Sequence, residues 1–187
     1  MGTMEPVIKR SKERIKRTAE VFTPEWLVDK MLMSLREADP TLFTDASKTF
    51  LEPAAGDGNF LVRILHFKLE LNDQSKPVPV REILQSIYGV DLMMDNVLLA
   101  RKRMLEVVAE FLHISYAEAK EEFGEIVEHN VVCHNALEWD FEDWSPAREQ
   151  QGLISFENKA FNRSEMVIRY VRQHTVTIPG RAGPFLP

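Results

Sequence analysis

At 187 residues, with 44% hydrophobic and 28% charged residues, the chain has the composition of one well-buried globular domain. No apolar run approaches the ~20 residues of a membrane span, and the charged start (Lys9, Arg10, Lys12, Arg14, Lys16, Arg17) leads into no apolar stretch of the kind a secretory leader carries. A single cysteine, Cys133, excludes an internal disulfide and fits a reducing, cytoplasmic setting.

The net charge of −6 is unevenly spread. Residues 1–17 and 158–187 each carry +4, which leaves −14 on residues 18–157. Two solvated basic tails on an acidic core account for this pattern. So do ends that reach for DNA or for the acidic surface of another protein. The chain therefore divides into a basic arm (1–17), a folded domain (18–145) and a C-terminal segment with a basic tail (146–187).

In chain order, Thr23-Pro24 opens a helix, with Thr23 as N-cap and Pro24 at the first helical position. Leu27, Met31 and Leu35, flanked by Val28 and Leu32, form its apolar stripe to about Arg36, and Asp39-Pro40 ends it. Thr49-Phe50-Leu51 reads as a short strand, followed by the turn Glu52-Pro53-Ala54-Ala55-Gly56-Asp57-Gly58-Asn59. Phe60, Leu61, Ile64, Leu65 and Leu69 then recur at helical spacing. Arg81 to Ser86 predicts a short helix, and Ile87 to Leu92 a second strand that ends in an acid. Met94 to His113 is a long amphipathic helix. Ser115 and Glu118 form a capping-box pattern for another, to about Phe123. Ile126 to Val132 predicts a third strand, followed by Asn135-Ala136-Leu137, and Met166 to Val171 a further one. Alternating strands and helices predict an α/β fold, a parallel sheet with helices on its faces.

Ligands of such sheets settle beyond the carboxyl ends of the strands. Gly56 and Gly58 let the backbone approach a ligand closely, and the following helix aims free N–H groups at the turn. A tight turn alone would use the same glycines. The acids Glu52 and Asp57 would repel a pyrophosphate but suit a cationic amine and a sulfonium, which S-adenosylmethionine (SAM) carries. The spacing also departs from the dinucleotide fingerprint, which argues against NAD or FAD. Asp91 can accept from both hydroxyls of a ribose, or simply favour the helix that starts beside it. Asn135 can accept from an adenine amino group while the Ala136 N–H donates to a ring nitrogen; Asn in a loop most often serves the turn itself. No metal site is expected.

These segments resemble the DNA N6-adenine methyltransferases of restriction–modification systems. Val21-Phe22-Thr23-Pro24-Glu25-Trp26-Leu27-Val28 is similar to the N-terminal SAM-binding motif of that family, and Phe50 to Leu61 to its glycine motif. Tyr88-Gly89-Val90-Asp91-Leu92 resembles its ribose-binding motif, and Asn135-Ala136-Leu137 its adenine-contacting one. All four stand in family order, over roughly Thr18 to Phe141. The resemblance implies a Rossmann-like methyltransferase fold and a SAM site. Phe22, Thr23 and Pro24 would line the methionine end. Glu52, Pro53, Ala54, Gly56, Asp57 and Gly58 would form the central turn, with Glu52 or Asp57 nearest the amine. Asp91 would hold the ribose, and Leu92 would pack on the adenine. Asn135 stands where the family usually has Asp, and a neutral acceptor still satisfies an amino group.

The family's Asn/Asp-Pro-Pro-Tyr/Phe motif, which grips the target amino group and stacks on the flipped base, has no match between Phe141 and Pro187. The expectation is therefore a truncated or divergent methyltransferase-like protein of phage or mobile-element character. It would bind SAM, lack autonomous methyl transfer and carry no catalytic residue of its own. Self-association or a protein partner would cover the open edge of its sheet. The alternative is an active SAM-dependent DNA methyltransferase, alone or as one subunit of a split enzyme.

Overall fold

The computed structural model describes residues 23–72, 75 and 77–145, all within a compact unit that runs over Met1–Ile154. The C-terminal strand candidate Met166 to Val171 and both basic ends lie outside the described residues.

Helix α1 (Glu25–Ala38) opens one residue later than the Thr-Pro pattern predicts. Pro24 holds an extended backbone (φ −59°, ψ 144°) and is itself the cap, its carbonyl accepting from the N–H groups of Leu27 and Val28 at 2.9 and 3.1 Å. No side chain caps this end. Val28 and Leu32 are buried, whereas Met31 and Leu35, expected on the same stripe, face solvent. At the far end the Asp39 carboxylate takes the Thr41 N–H and hydroxyl and pairs with Lys48, which fixes the turn into β1.

Strand β1 (Phe50–Glu52) is followed by α2 (Asn59–Glu70) and the short α3 (Val80–Gln85). Then come β2 (Ile87–Asp91), α4 (Met94–Leu112), α5 (Tyr116–Asn130) and β3 (Val131–Cys133). The three strands form one parallel sheet in the order β1-β2-β3. Phe50 pairs with Ile87 and Glu52 with Gly89, while Gly89 pairs with Val131 and Asp91 with Cys133. β2 is thus central. Its Gly89 is a packing requirement, since a Cβ there would lie 2.7 Å from Leu61 Cδ1 and 3.2 Å from Ala55 Cβ.

The fold is mixed α/β, as the sequence predicts, with one difference at the third strand. Ile126 to Asn130 extend α5, and only Val131–Cys133 are extended. The β-branched pair Ile126-Val127 favours a strand locally. Ala119, Phe123, Ile126, Val127 and Asn130, however, lie on one helical face, and all are buried. Tertiary burial of that face overrides the local preference. Asn130 then closes the helix, its amide donating to the carbonyls of Leu84 (3.0 Å) and Ile87 (3.2 Å).

The two sheet faces differ. Residues from all five described helices share one core with Ile87, Val131 and Cys133. Right-handed crossovers that keep advancing in one direction put their helices on the same face. The opposite face, with Val90 and Val132, is covered by Trp139 with Ala136, Phe141 and Trp144, from the irregular segment after β3. Among the described residues, no helix is long and apolar enough to cross a membrane.

Candidate functional site at the carboxyl ends of the strands

β1 ends at Glu52, and the chain turns through two left-handed glycines, Gly56 (φ 55°) and Gly58 (φ 92°), into α2. The turn is stitched to β2 by the Ala55 N–H, which donates to the Val90 carbonyl at 2.9 Å. Gly58 lies on α4, and a Cβ there would meet Ala100 Cβ at 2.8 Å. The strand-to-helix packing accounts for Gly58 before any ligand is considered.

Asp91 ends β2 and braces three elements. Its Oδ2 accepts from the Gly56 N–H at 2.9 Å. Its Oδ1 accepts from the Met93 N–H at 2.9 Å and from the buried Asn96 amide at 3.1 Å. The sequence suggests a ribose acceptor or a helix-terminal charge here; the carboxylate does hold the start of α4, and it also holds the glycine turn. Beside it, Glu52 Oε1 accepts from the Ala54 N–H at 3.1 Å. Burial, with the neighbouring Asp91 adding to it, pushes the Glu52 carboxyl above its ordinary range. Two acids at the ends of adjacent strands favour a positive charge between them.

Asp57 is in a different position. It and Arg103 of α4 are nearly buried, at 14% and 13% side-chain exposure, with Arg103 Nη1 3.4 Å from Asp57 Oδ1. The same nitrogen donates to the Asp57 carbonyl at 2.9 Å and to Asn59 Oδ1 at 2.8 Å. Asn59 Nδ2 in turn donates to the Thr23 carbonyl at 3.0 Å, which brings the start of α1 to the turn. Pro24 is exposed beside it, and Phe22 lies outside the described residues.

On the other side of β2, the His134 N–H donates to the Asp91 carbonyl at 2.9 Å, so Asn135 follows directly beyond the Asp91 end. Asn135 Oδ1 accepts from the Leu137 N–H at 3.2 Å, and its carbonyl accepts from Glu138 and Trp139. Its side-chain oxygen thus serves the turn. Ala136 packs on the Trp139 cluster, and Leu92 is partly exposed next to Asp91.

Thr23, Glu52, Gly56, Asp57, Gly58, Asp91 and Asn135 therefore gather at one end of the sheet. Asn96, Asn59 and Arg103 belong with them and were missed by sequence reasoning. One signal could have found two of these: Asn96, Ala100 and Arg103 stand at i, i+4 and i+7 on α4, a single face. That face meets Asp91, Gly58 and Asp57 in turn. A shallow concavity of about 320 Å³, lined by Ala46, Ser47, Thr49, Glu82, Gln85 and Ser86, opens at the amino ends of β1 and β2. It holds no converging charged groups, so the chemistry points to the opposite end. Among the described residues no group of acids, histidines and cysteine is arranged to hold a metal ion.

Comparison with protein-family models, with curated proteins and with solved structures yields no match.

Proposed function

We propose that this chain binds SAM at the carboxyl ends of β1 and β2, as a divergent relative of DNA adenine-N6-methyltransferases with a Rossmann-like fold. The observation that carries the reading is the convergence of Glu52 and Asp91 beside a left-handed glycine turn. A pyrophosphate would meet two carboxylates there, whereas an amine or sulfonium would relieve their mutual repulsion. The strand order supports the same reading. β1-β2-β3 matches half of a doubly wound sheet, whose ligands lie at this end, where the next strand would start beside β1.

In this proposal Glu52 meets the amine, Asp91 keeps the turn shaped and faces the ribose, and Leu92 with Ala136 flanks the adenine. Asn135 would exchange its bond to Leu137 for the adenine amino group. SAM, when bound, supplies a methyl group activated by a positive sulfur; the chain's part is to hold and orient it. The acceptor motif is not found between Phe141 and Pro187. The proposal is accordingly confined to donor binding by the residues that form this site.

Titration calorimetry with SAM and with its demethylated product tests donor binding. Saturable heat at micromolar to high-micromolar concentration is expected, and none would sink the SAM reading. Tritiated methyl transfer to mixed-sequence DNA tests that limit. Label entering DNA at a rate set by this chain alone would make it a complete enzyme. Because Asp91 holds the Gly56, Met93 and Asn96 donors, Asp91→Ala should weaken SAM binding and cost roughly 1–3 kcal/mol of stability as well.

A further inference from the structure

We infer that Arg103 is a positioning residue for the glycine turn: it withdraws Asp57 from the acids a ligand meets and ties the turn to the start of α1. The inference rests on the SAM reading for its ligand, but its geometry stands independently. Arg103 Nη1 has two protons, and both are used, on the Asp57 carbonyl (2.9 Å) and Asn59 Oδ1 (2.8 Å). The same nitrogen lies 3.4 Å from Asp57 Oδ1, in a place where both side chains are almost fully covered. Asn59 passes the connection on to the Thr23 carbonyl at 3.0 Å. One guanidinium on α4 therefore fixes the backbone of the turn, the first residue of α2 and the segment that opens α1.

The pairing divides the acids of the turn. Glu52 and Asp57 are five residues apart, and either one could face a cationic ligand. Asp57 is neutralised from behind by Arg103, whereas Glu52 has Asp91 as its charged neighbour. A cation therefore meets Glu52. Removing Arg103 takes away a cation that faces the nearly buried Asp57 carboxylate. The carboxylate is then held less favourably, and the turn that carries it loosens. Arg101, two residues earlier, cannot substitute: its guanidinium points away, to the Val131 and Glu128 carbonyls at 2.8 and 3.1 Å.

The test uses the full chain and four variants: Arg103→Met, Arg103→Lys, Asp57→Asn with Arg103→Met, and Lys102→Ala as a control on the same helix. Lys102 is exposed and pairs with Glu106 one turn on. SAM affinity is read by calorimetry, and hydrogen exchange is followed at the amides of Gly56 to Asn59 and of Leu27 and Val28. Arg103→Met should weaken SAM roughly tenfold, the loss expected of a charge-assisted hydrogen bond, and speed exchange at both places. Arg103→Lys keeps the charge without the planar fork and should lose about threefold. It also covers the case in which Arg103→Met fails to fold. The double variant should recover part of the SAM affinity, because the Asp57 charge that Arg103 faces is gone while the bonds to the Asp57 carbonyl and Asn59 stay lost; Lys102→Ala should change neither readout. Wild-type affinity and exchange in Arg103→Met would overturn the inference. A double variant no better than Arg103→Met would overturn the charge-withdrawal part. If the wild type gives no heat with SAM, the cofactor reading fails, and the exchange pattern alone decides whether Arg103 positions the turn.

Discussion

A methyl group added at Gly58 would lie 2.8 Å from Ala100 Cβ, on a backbone at φ 92° that other residues rarely adopt. At Gly124, inside α5, the nearest atom is Lys120 Cγ at 3.5 Å. Gly58→Ala should therefore cost about 2–4 kcal/mol in urea unfolding, whereas Gly124→Ala should gain about 0.5–1 kcal/mol from helix propensity. Equal effects would mean that the turn is not packed on α4 as described. Glu52 leads to a prediction of two signs. Its raised carboxyl pKa means that the folded chain favours the protonated form, a contribution present below the ordinary carboxylate range and lost as pH rises through the folded value. At neutral pH the charge is a burden to the folded chain alone, and in the proposed site it would favour SAM. Glu52→Gln should raise the thermal midpoint of the free chain and weaken SAM binding, a pairing typical of functional acids. Lys68 is 2% exposed, donates to the Lys48 carbonyl at 2.9 Å and lies against the Phe50 ring. Burial lowers its pKa from 10.5 to about 8. Between these values the unfolded chain holds a proton that the folded chain has released, so stability rises with pH across that window, by on the order of 3 kcal/mol. Denaturant curves at pH 7.5 and 10 should show this rise in the wild type and its loss in Lys68→Met.

At the scale of elements, the sequence is most legible where local chemistry and burial agree. The Ser115 hydroxyl accepts from the Glu118 N–H at 3.3 Å while Glu118 takes the Ser115 N–H at 2.8 Å, the reciprocal cap that the spacing predicts. Ser115→Ala should cost about 1 kcal/mol, visible as a shifted urea midpoint. β1 and β2 are legible because each apolar run stops at an acid, and α4 because its apolar spacing persists over five turns. The start of β3 is not, because Ile126-Val127 prefer a strand and only the packing of α5 makes them helical. α1 is half legible: Val28 and Leu32 are buried as expected, but Met31 and Leu35 have no cover among the described residues. The site divides in the same way. The glycine turn, Asp91 and Asn135 can be read from short motifs. Arg103, Asn96 and Asn59 act across 35 or more residues or from a helix face, where a linear motif gives no signal.

At the scale of the whole described unit, the sheet is asymmetric. Among the described residues the helices pack on one face, and a loop with its aromatic side chains covers the other. β1 pairs on one side only among the described residues, and Leu51, adjacent to Tyr88 in the register, is 48% exposed at that edge. An edge strand with an apolar side chain beside a sheet face is a place for another strand to add. Light scattering over a concentration series should show association that Leu51→Lys weakens. A monomer at every concentration would remove the expectation of a partner at this edge.

The aromatic cover also has an optical consequence. Trp139 and Trp144 meet edge to face with ring centroids 5.1 Å apart, and Trp144 also packs on Tyr88 at 4.9 Å. The Trp144 indole donates to the His129 carbonyl at 2.7 Å, while the Trp139 indole nitrogen has no hydrogen-bond partner among the described residues. Two such chromophores couple electronically and should give a near-ultraviolet dichroism signal that vanishes once the loop after β3 loosens. Trp26 on α1 is 67% exposed and should respond to acrylamide quenching, while Trp139, at 5%, should not. The chain thus carries two built-in reporters, one at the start of α1 and one beside Asn135 and Ala136. With Trp26→Phe removing the outer signal, the emission that remains reports on the adenine side of the proposed site without any added label.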